Sequence, residues 1–452
     1  MSLVQPWELR AAFARSLSGM YGHEVPAYTT LLDVSQEVNE DVLATRGDAA
    51  ERLGSIERVT AERHGAIRLG SPAEMSQVAR IFAAFGMHPV GFYDLREAAT
   101  SAVPVVSTAF RPIDSGELAR NPFRVFTSVI TPSDRRFFSA DLQHRLEAFL
   151  DAREVFPPEL LALADRAEAD GGLSSAEAER FLQLATASFE LSTEPVDRAW
   201  YDELEAVSAV AADIGGVRST HINHLTPRVL DIDDLYARME ARGITMIDDI
   251  QGPPKWEGPN VLLRQTSFRA LAEPRTFRMP DGSVQQNSLR VRFGEVEARG
   301  IALTRQGRAI YDAAIVAARD RSVGADAVGR QDVLREIWRR DFPTTEAELA
   351  ERGLGYFTYD VVDGGLNLTP IVYEDFLPAS AAGIFQSNLT SDGSKDVSQI
   401  GTELDEDWMA GILGRELHDP FELYAAQSET SRVRAAAQLG TSDLVTTPGE
   451  HS

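Results

Sequence analysis

Apolar and polar positions alternate along this chain in a way that divides it into helical and strand-like stretches in a recurring order. Residues 1–57 carry mostly helical spacing, with an extended piece expected at VPAYTTLLDVS. From Glu57 the spacing shortens. ERHGAIRLG alternates like a strand, and SPAEMSQVARIFAAFGM predicts a helix whose buried stripe is Met75, Val78, Ile81, Phe82 and Phe85. Ser71 is its expected cap, Pro72 suits its first turn, Glu74 is spaced to close a capping box, and Gly86 ends it. Strand-like runs follow at HPVGFYDL, VPVVSTAFRPI and NPFRVFTSVIT.

From about Pro132 to Ile214 the spacing is helical again, and this stretch reads as an insert. Then the first plan recurs. STHINHLTPRV begins a strand, DIDDLYARMEARGI is a helix capped by Asp231 and stopped by Gly243, and strands are expected in ITMIDDIQ, NVLLRQTSFRAL and SLRVRFGEVEARG, with MPDGSV as a hairpin tip. The expected fold class is α+β, with paired βαβββ modules forming a curved sheet around a shared cavity and helices added to it. The expected organisation is a helical segment at 1–57, a first module at 58–131, the helical insert at 132–215, a second module at 216–330, a region completing the pocket at 331–425, and a mobile tail at 426–452.

Charge and composition narrow the chemistry. A formal charge of −25 repels phosphate backbones and anionic lipid surfaces, so neither nucleic acid nor membrane is an expected partner. An anionic substrate would need arginines placed inside the pocket. Cysteine is absent, which excludes thiolate metal sites and thiol nucleophiles and leaves His, Asp and Glu as metal ligands. The amino terminus lacks the pattern of a signal peptide and no apolar run is long enough to span a bilayer, so a cytoplasmic location is expected.

The chemistry concentrates on the two recurring first strands, His64-Gly-Ala-Ile-Arg68 and His224-Leu-Thr-Pro-Arg228. Side chains four residues apart on a strand share a face, so each unit directs one imidazole and one guanidinium to one side. Among only eight histidines, this recurrence singles out His64 and His224. His221 competes with His224, but lies an odd number of residues away and so is expected on the opposite face. On the last strand, Glu295 and Glu297 share one face, and parity alone does not separate them. Two His and one carboxylate make a facial triad with open metal positions, suited to non-haem Fe(II) and O₂. The acidic clusters Asp231–Asp234 and Asp248–Asp249 read as a helix cap and a solvated strand end, and neither a dinucleotide fingerprint nor a phosphate loop occurs.

RHGAIRLGSPAEMSQVARIFAAFGM and NHLTPRVLDIDDLYARMEARG each resemble the opening of a vicinal oxygen chelate module, whose first strand carries a metal His. FGEVEARG is similar to the terminal ligand strand of 4-hydroxyphenylpyruvate dioxygenases, and matching Arg299 to the arginine there puts Glu295 at the ligand position. More broadly, the chain to about residue 425 resembles the 2-oxoadipate dioxygenase/decarboxylase family, through RHGAIRLGSP, THINHLTPR, LLRQTSFRAL, RFGEVEARGIALT and LPASAAGIFQSNL. The resemblance implies Fe(II) held by His64, His224 and Glu295, and Arg68 as the residue that positions substrate. It implies further substrate contacts from Gln265, Arg269, Ala379 and Ser380, where Ala379 departs from the Val of the family's Val-Ser pair. The implied reaction takes 2-oxoadipate and O₂ to 2-hydroxyglutarate and CO₂, a late step of lysine breakdown. Two alternatives stay open: another vicinal oxygen chelate metalloenzyme, an isomerase or extradiol dioxygenase, or a non-catalytic protein that binds a small carboxylate.

Overall fold

The computed structural model describes residues 3–97, 103–289, 292–378, 384, 388 and 394–441. Helices α1 (Pro6–Glu24) and α2 (Pro26–Arg46) open the chain. The run expected to be extended lies inside α2 instead. Tyr28, Leu31, Val34, Val38 and Val42 fall at helical spacing and are buried as one stripe, so packing overrides the weak local preference.

A short helix α3 (Ile56–Ala61) leads into β1 (Arg63–Leu69), followed by α4 (Pro72–Ala84), β2 (His88–Asp94), β3 (Val105–Arg111), α5 (Ser115–Arg120) and β4 (Arg124–Ile130). Ser71 caps α4 by accepting from the Glu74 N–H at 3.2 Å. The expected capping box does not close. The Glu74 carboxylate accepts instead from the Gly70 N–H at 2.6 Å and pairs with Arg153 at 2.6 Å, which ties the strand-to-helix turn to the insert. A Cβ on Gly70 would stand 2.2 Å from Leu150 and 2.5 Å from Arg153, so any larger residue at this junction would have to displace those side chains.

The stretch 132–215 forms the helices expected of it, α6 (Ala140–Asp151), α7 (Pro158–Asp170), α8 (Ser175–Ala187), α9 (Arg198–Glu205) and α10 (Ala209–Gly215), together with a two-residue β5 (Val196–Asp197). Then come β6 (Ile222–Pro227), α11 (Ile232–Ala241), β7 (Leu263–Ser267), β8 (Glu273–Arg278), β9 (Val284–Leu289) and β10 (Glu295–Arg299). Asp231 caps α11 by accepting from the Asp233 and Asp234 N–H groups, which accounts for that acidic cluster.

The main sheet has the order β2-β3-β4-β1-β6, with β1 parallel to β4 and antiparallel to β6. Beyond β6 a parallel bridge between Arg228 and Glu297 leads on to β10, which pairs antiparallel with β7. The second stretch departs from the expected plan. ITMIDDIQ forms no strand and meets the β7 region only through the bridges Met246–Phe268 and Gln251–Gln265, while the hairpin β8–β9 stands between β7 and β10 and pairs with β5 of the insert. The architecture is thus mixed α+β with several small sheets.

After β10 a second, smaller core gathers Tyr311, Trp338, Phe342, Leu349 and Phe357. The helix Pro420–Leu439 runs through the start of the stretch expected to be mobile. Buried Tyr424, Ser431, Ala435 and Ala436 hold it, and Ser431 Oγ accepts from the Tyr359 N–H at 3.0 Å. The remainder of that expected tail, from residue 442, lies outside the described residues. Among the described residues no helix is long and apolar enough to cross a membrane.

Candidate metal centre

The strand order explains the centre. Because β1 and β6 are neighbours, with His64 opposite Thr226 and His224 opposite Ala66, the two imidazoles project side by side from one face. Their ring centroids are 5.5 Å apart and nearly perpendicular. Glu295 begins β10, the strand carried alongside β6 by the Arg228–Glu297 bridge. Its two oxygens each face one histidine, with His64 Nε2 and His224 Nε2 both at 3.4 Å. The ligand atoms of His64, His224 and Glu295 lie within 4.8 Å of one another, and all three residues are buried.

The donor set fits one divalent metal ion. His64 Nδ1 lies 3.1 Å from Glu297, and His224 Nδ1 lies 3.1 Å from the Thr226 hydroxyl, which itself donates to Glu295 at 3.4 Å. Each ring thus has one nitrogen engaged by the protein and leaves Nε2 directed at the centre, the arrangement that orients metal-binding histidines. Burial pushes His224 down to about 4, so this imidazole is neutral and able to donate its lone pair. Burial acts the same way on His64, but Glu297 and Glu295 outweigh it and raise its pKa. Phe376 meets His64 edge-on at 5.0 Å, and Phe293 stacks on His224 at 5.5 Å, which keeps the site apolar on two sides.

Glu295 and Glu297, which strand parity left equivalent, are distinguished by their partners. Arg299 holds Glu297 through two hydrogen bonds of 2.7 and 2.9 Å, and Arg124 approaches it at 3.4 Å. Burial would raise the Glu297 pKa, but Arg299, His64 and Arg124 prevail and hold it at about 2. It is a fixed anion that orients His64, whereas Glu295 has its oxygens turned to the two imidazoles.

Arg68 is buried on the same strand face as His64, but its guanidinium pairs with Asp213 at the end of α10. Asp213 also accepts from Asn223 at 2.9 Å and lies 3.3 Å from His221. The parity argument for His221 fails here. Ala66 faces His224 while Ile67 faces Ile222, so Asn223 is an extra residue in a β-bulge and His221 returns to the Arg68 side. Gln265 is buried opposite Glu297 in the β7–β10 register, on the ligand face. Arg269 is set apart from these: it is half-exposed and pairs with Asp248 at 2.6 Å. Ala379 and Ser380 lie outside the described residues. Sequence reasoning missed Asp213, Asn223 and the Ser107–Ser128 hydroxyl pair, 2.8 Å apart beside Arg68 in the sheet register. A polar residue at the end of an apolar helix, Asp213 in AVAADIGG, was the available signal.

Two imidazoles and a carboxylate on neighbouring strands, with oriented rings and no fourth protein ligand among the described residues, define a candidate mononuclear metal centre of the facial-triad class in an α+β fold. The sequence profile of the 2-oxoadipate dioxygenase/decarboxylase family matches residues 13–388, and the chain belongs to that family. The 2-oxoadipate dioxygenase/decarboxylase of Mycobacterium tuberculosis is 59% identical over 429 residues, covering 95% of this chain and 98% of the relative. That of Pseudomonas putida is 39% identical over 463 residues, covering 96% and 97%. The crystal structure of the hydroxyglutarate synthase from Pseudomonas putida in complex with 2-oxoadipate superposes with a TM-score of 0.84 at 37% identity, covering 97% of this chain and all of that one.

Proposed function

We propose that this chain is an Fe(II)-dependent 2-oxoadipate dioxygenase/decarboxylase that produces 2-hydroxyglutarate and CO₂. The observation that carries the reading is the convergence of His64, His224 and Glu295 within 4.8 Å in a chain that belongs to this family. Iron(II), when bound, supplies positions for a chelating 2-oxo acid and for O₂, and the redox chemistry that side chains lack. In the overall balance the first carboxyl group leaves as CO₂, the keto carbon becomes the new carboxylate with one oxygen atom, and the neighbouring carbon receives the other as hydroxyl. The substrate therefore acts as its own co-substrate, and no separate 2-oxo acid is consumed.

The chain's own residues position and protect. Glu297 and Thr226 engage the outer nitrogens of His64 and His224 and so fix both rings. Arg68, held by Asp213, is assigned to a substrate carboxylate, for which a planar guanidinium offers two parallel hydrogen bonds. Gln265 and Ser380 are assigned to further polar contacts with it, beside Ala379. Phe376, Phe126 and Phe293 exclude water around the rings. The β1–β4 and β6–β10 stretches are assigned as two modules of vicinal oxygen chelate type, related across the β1–β6 seam, with the segments 1–57, 132–215 and 331–425 added around them.

The test is to reconstitute metal-free protein separately with Fe(II), Mn(II), Zn(II) and Mg(II) and follow O₂ uptake with a series of 2-oxo acids. Uptake confined to iron and strongest with 2-oxoadipate is the expected result. Turnover without O₂ consumption, or equal rates with zinc, would overturn the assignment.

A further inference from the structure

A cavity of about 590 Å³ lies between the insert and β8, bounded by Trp200, Gly216, Val217, Arg218, Arg275 and Arg278. Arg275 is 7% exposed, and its Nε is buried without a hydrogen-bond partner, while one terminal nitrogen donates to the Ser192 carbonyl. It differs from every other buried arginine described. Arg10, Arg68, Arg96, Arg111, Arg124, Arg228, Arg264, Arg292 and Arg299 each pair with a carboxylate, and Arg275 alone has none at ion-pair distance among the described residues. The acids that act on it at longer range, Asp213 and Glu273, are already paired with Arg68 and Arg292.

Burying a guanidinium without a counter-charge is costly, and proteins satisfy such groups with a partner or a ligand. Here Arg275 is one of the residues lining a cavity. Arg218 and Arg278, both exposed and without a carboxylate at ion-pair distance among the described residues, add positive charge at its mouth, in a chain whose formal charge is −25. Glu194 and Asp197 stand exposed on the rim, where they oppose a large polyanion and favour a compact one. We propose that this cavity is a second ligand site, distinct from the metal centre, which binds a compact carboxylate or phosphate anion with Arg275 as its buried anchor. Trp200 and Phe149 supply an apolar wall for the rest of such a ligand.

The probes are inorganic phosphate and succinate, titrated by calorimetry into the full-length, iron-loaded protein; their separate affinities tell a phosphate site from a carboxylate site. Saturable binding of at least one of them at a single site per chain is expected. Arg275→Met should weaken it about 10- to 100-fold, the range for a lost charge-assisted contact. The same variant should melt no lower than the unaltered protein in anion-free buffer, because an uncompensated buried charge has been removed. Glu295→Ala, titrated as the metal-poor protein it is expected to be, should keep the binding, because it alters only the metal centre. Absence of binding by both anions, unchanged affinity in Arg275→Met, a lowered melting temperature of that variant in anion-free buffer, or loss of binding in Glu295→Ala would each overturn the proposal. If Arg275→Met does not fold, the exposed double variant Arg218→Ala/Arg278→Ala replaces it: weaker binding at an unchanged melting temperature is expected, and unchanged affinity overturns the proposal.

Discussion

β1 and β6 carry the same signature, a His followed four residues later by Arg, yet the two arginines have different surroundings. The strands run antiparallel, so Arg68 and Arg228 reach opposite ends of the pair. At one end Arg228, Arg124, Arg58 and Arg299 enclose Glu62, Glu297 and Glu374 in a buried network. At the other, Arg68 meets Asp213, beside Asn223 and a His221 that burial pushes down to about 4 and so leaves neutral. A guanidinium among several carboxylates is a structural group. The pairing of Arg68 with Asp213, beside neutral polar side chains, suits the substrate-positioning role proposed for it, whereas Arg228 is tied into the carboxylate network through Glu62.

The largest effect expected is at the centre between the two ends. His64→Ala, His224→Ala and Glu295→Ala should each remove most bound metal and nearly all turnover while leaving the circular dichroism spectrum intact. Metal retained in any of the three would break the triad. Next, Arg68→Lys should keep iron but lose turnover on 2-oxoadipate by about 2–5 kcal/mol of transition-state stabilisation, since lysine lacks the planar fork. Arg228→Met should do the reverse, keeping intrinsic turnover while losing about 1.5–3 kcal/mol of stability, the range for one charge-assisted hydrogen bond, because Arg124 still holds Glu62. Melting temperature, iron content and turnover measured on both variants decide the matter, and interchanged phenotypes would contradict the division drawn above.

A smaller change is expected for Glu297→Gln, which weakens the hold on His64 without removing a ligand. Metal affinity or activity should fall by about 10–100-fold, the usual range for a residue that orients a metal-binding histidine. The smallest concerns acid. Burial would raise the Glu62 pKa, but Arg228, Arg124 and Arg58 outweigh it and hold it well below the ordinary carboxylate value. A depressed folded-state pKa stabilises above the unfolded value of about 4.3, and that contribution is lost as pH falls through the folded value. The unaltered protein should therefore lose melting temperature steeply below about pH 4, whereas Glu62→Gln should start lower at neutral pH and fall less steeply.

Much of the site was legible because its signals were local and sparse. Few histidines, a recurring strand and the alternation of faces singled out His64 and His224, while the choice of Glu295 over Glu297 came from the resemblance of FGEVEARG to a terminal ligand strand. What was not legible depended on contacts between distant segments. Nothing in RHGAIRLG tells that Arg68 meets Asp213, and ideal alternation placed His221 on the wrong face because a one-residue bulge leaves little trace in sequence. The same holds for the fold. α4 announced its cap and stop, but Glu74 was diverted from the capping box by Gly70 and Arg153, and the β-branched run of α2 was decided by the stripe it buries.

The central claim is most directly tested by the stoichiometry of a single preparation. Iron(II)-loaded protein given limiting 2-oxoadipate should consume one O₂ and release one CO₂ and one 2-hydroxyglutarate for each substrate molecule, with no other 2-oxo acid added. CO₂ release without O₂ uptake, or O₂ uptake that yields glutarate and no hydroxylated product, would contradict it.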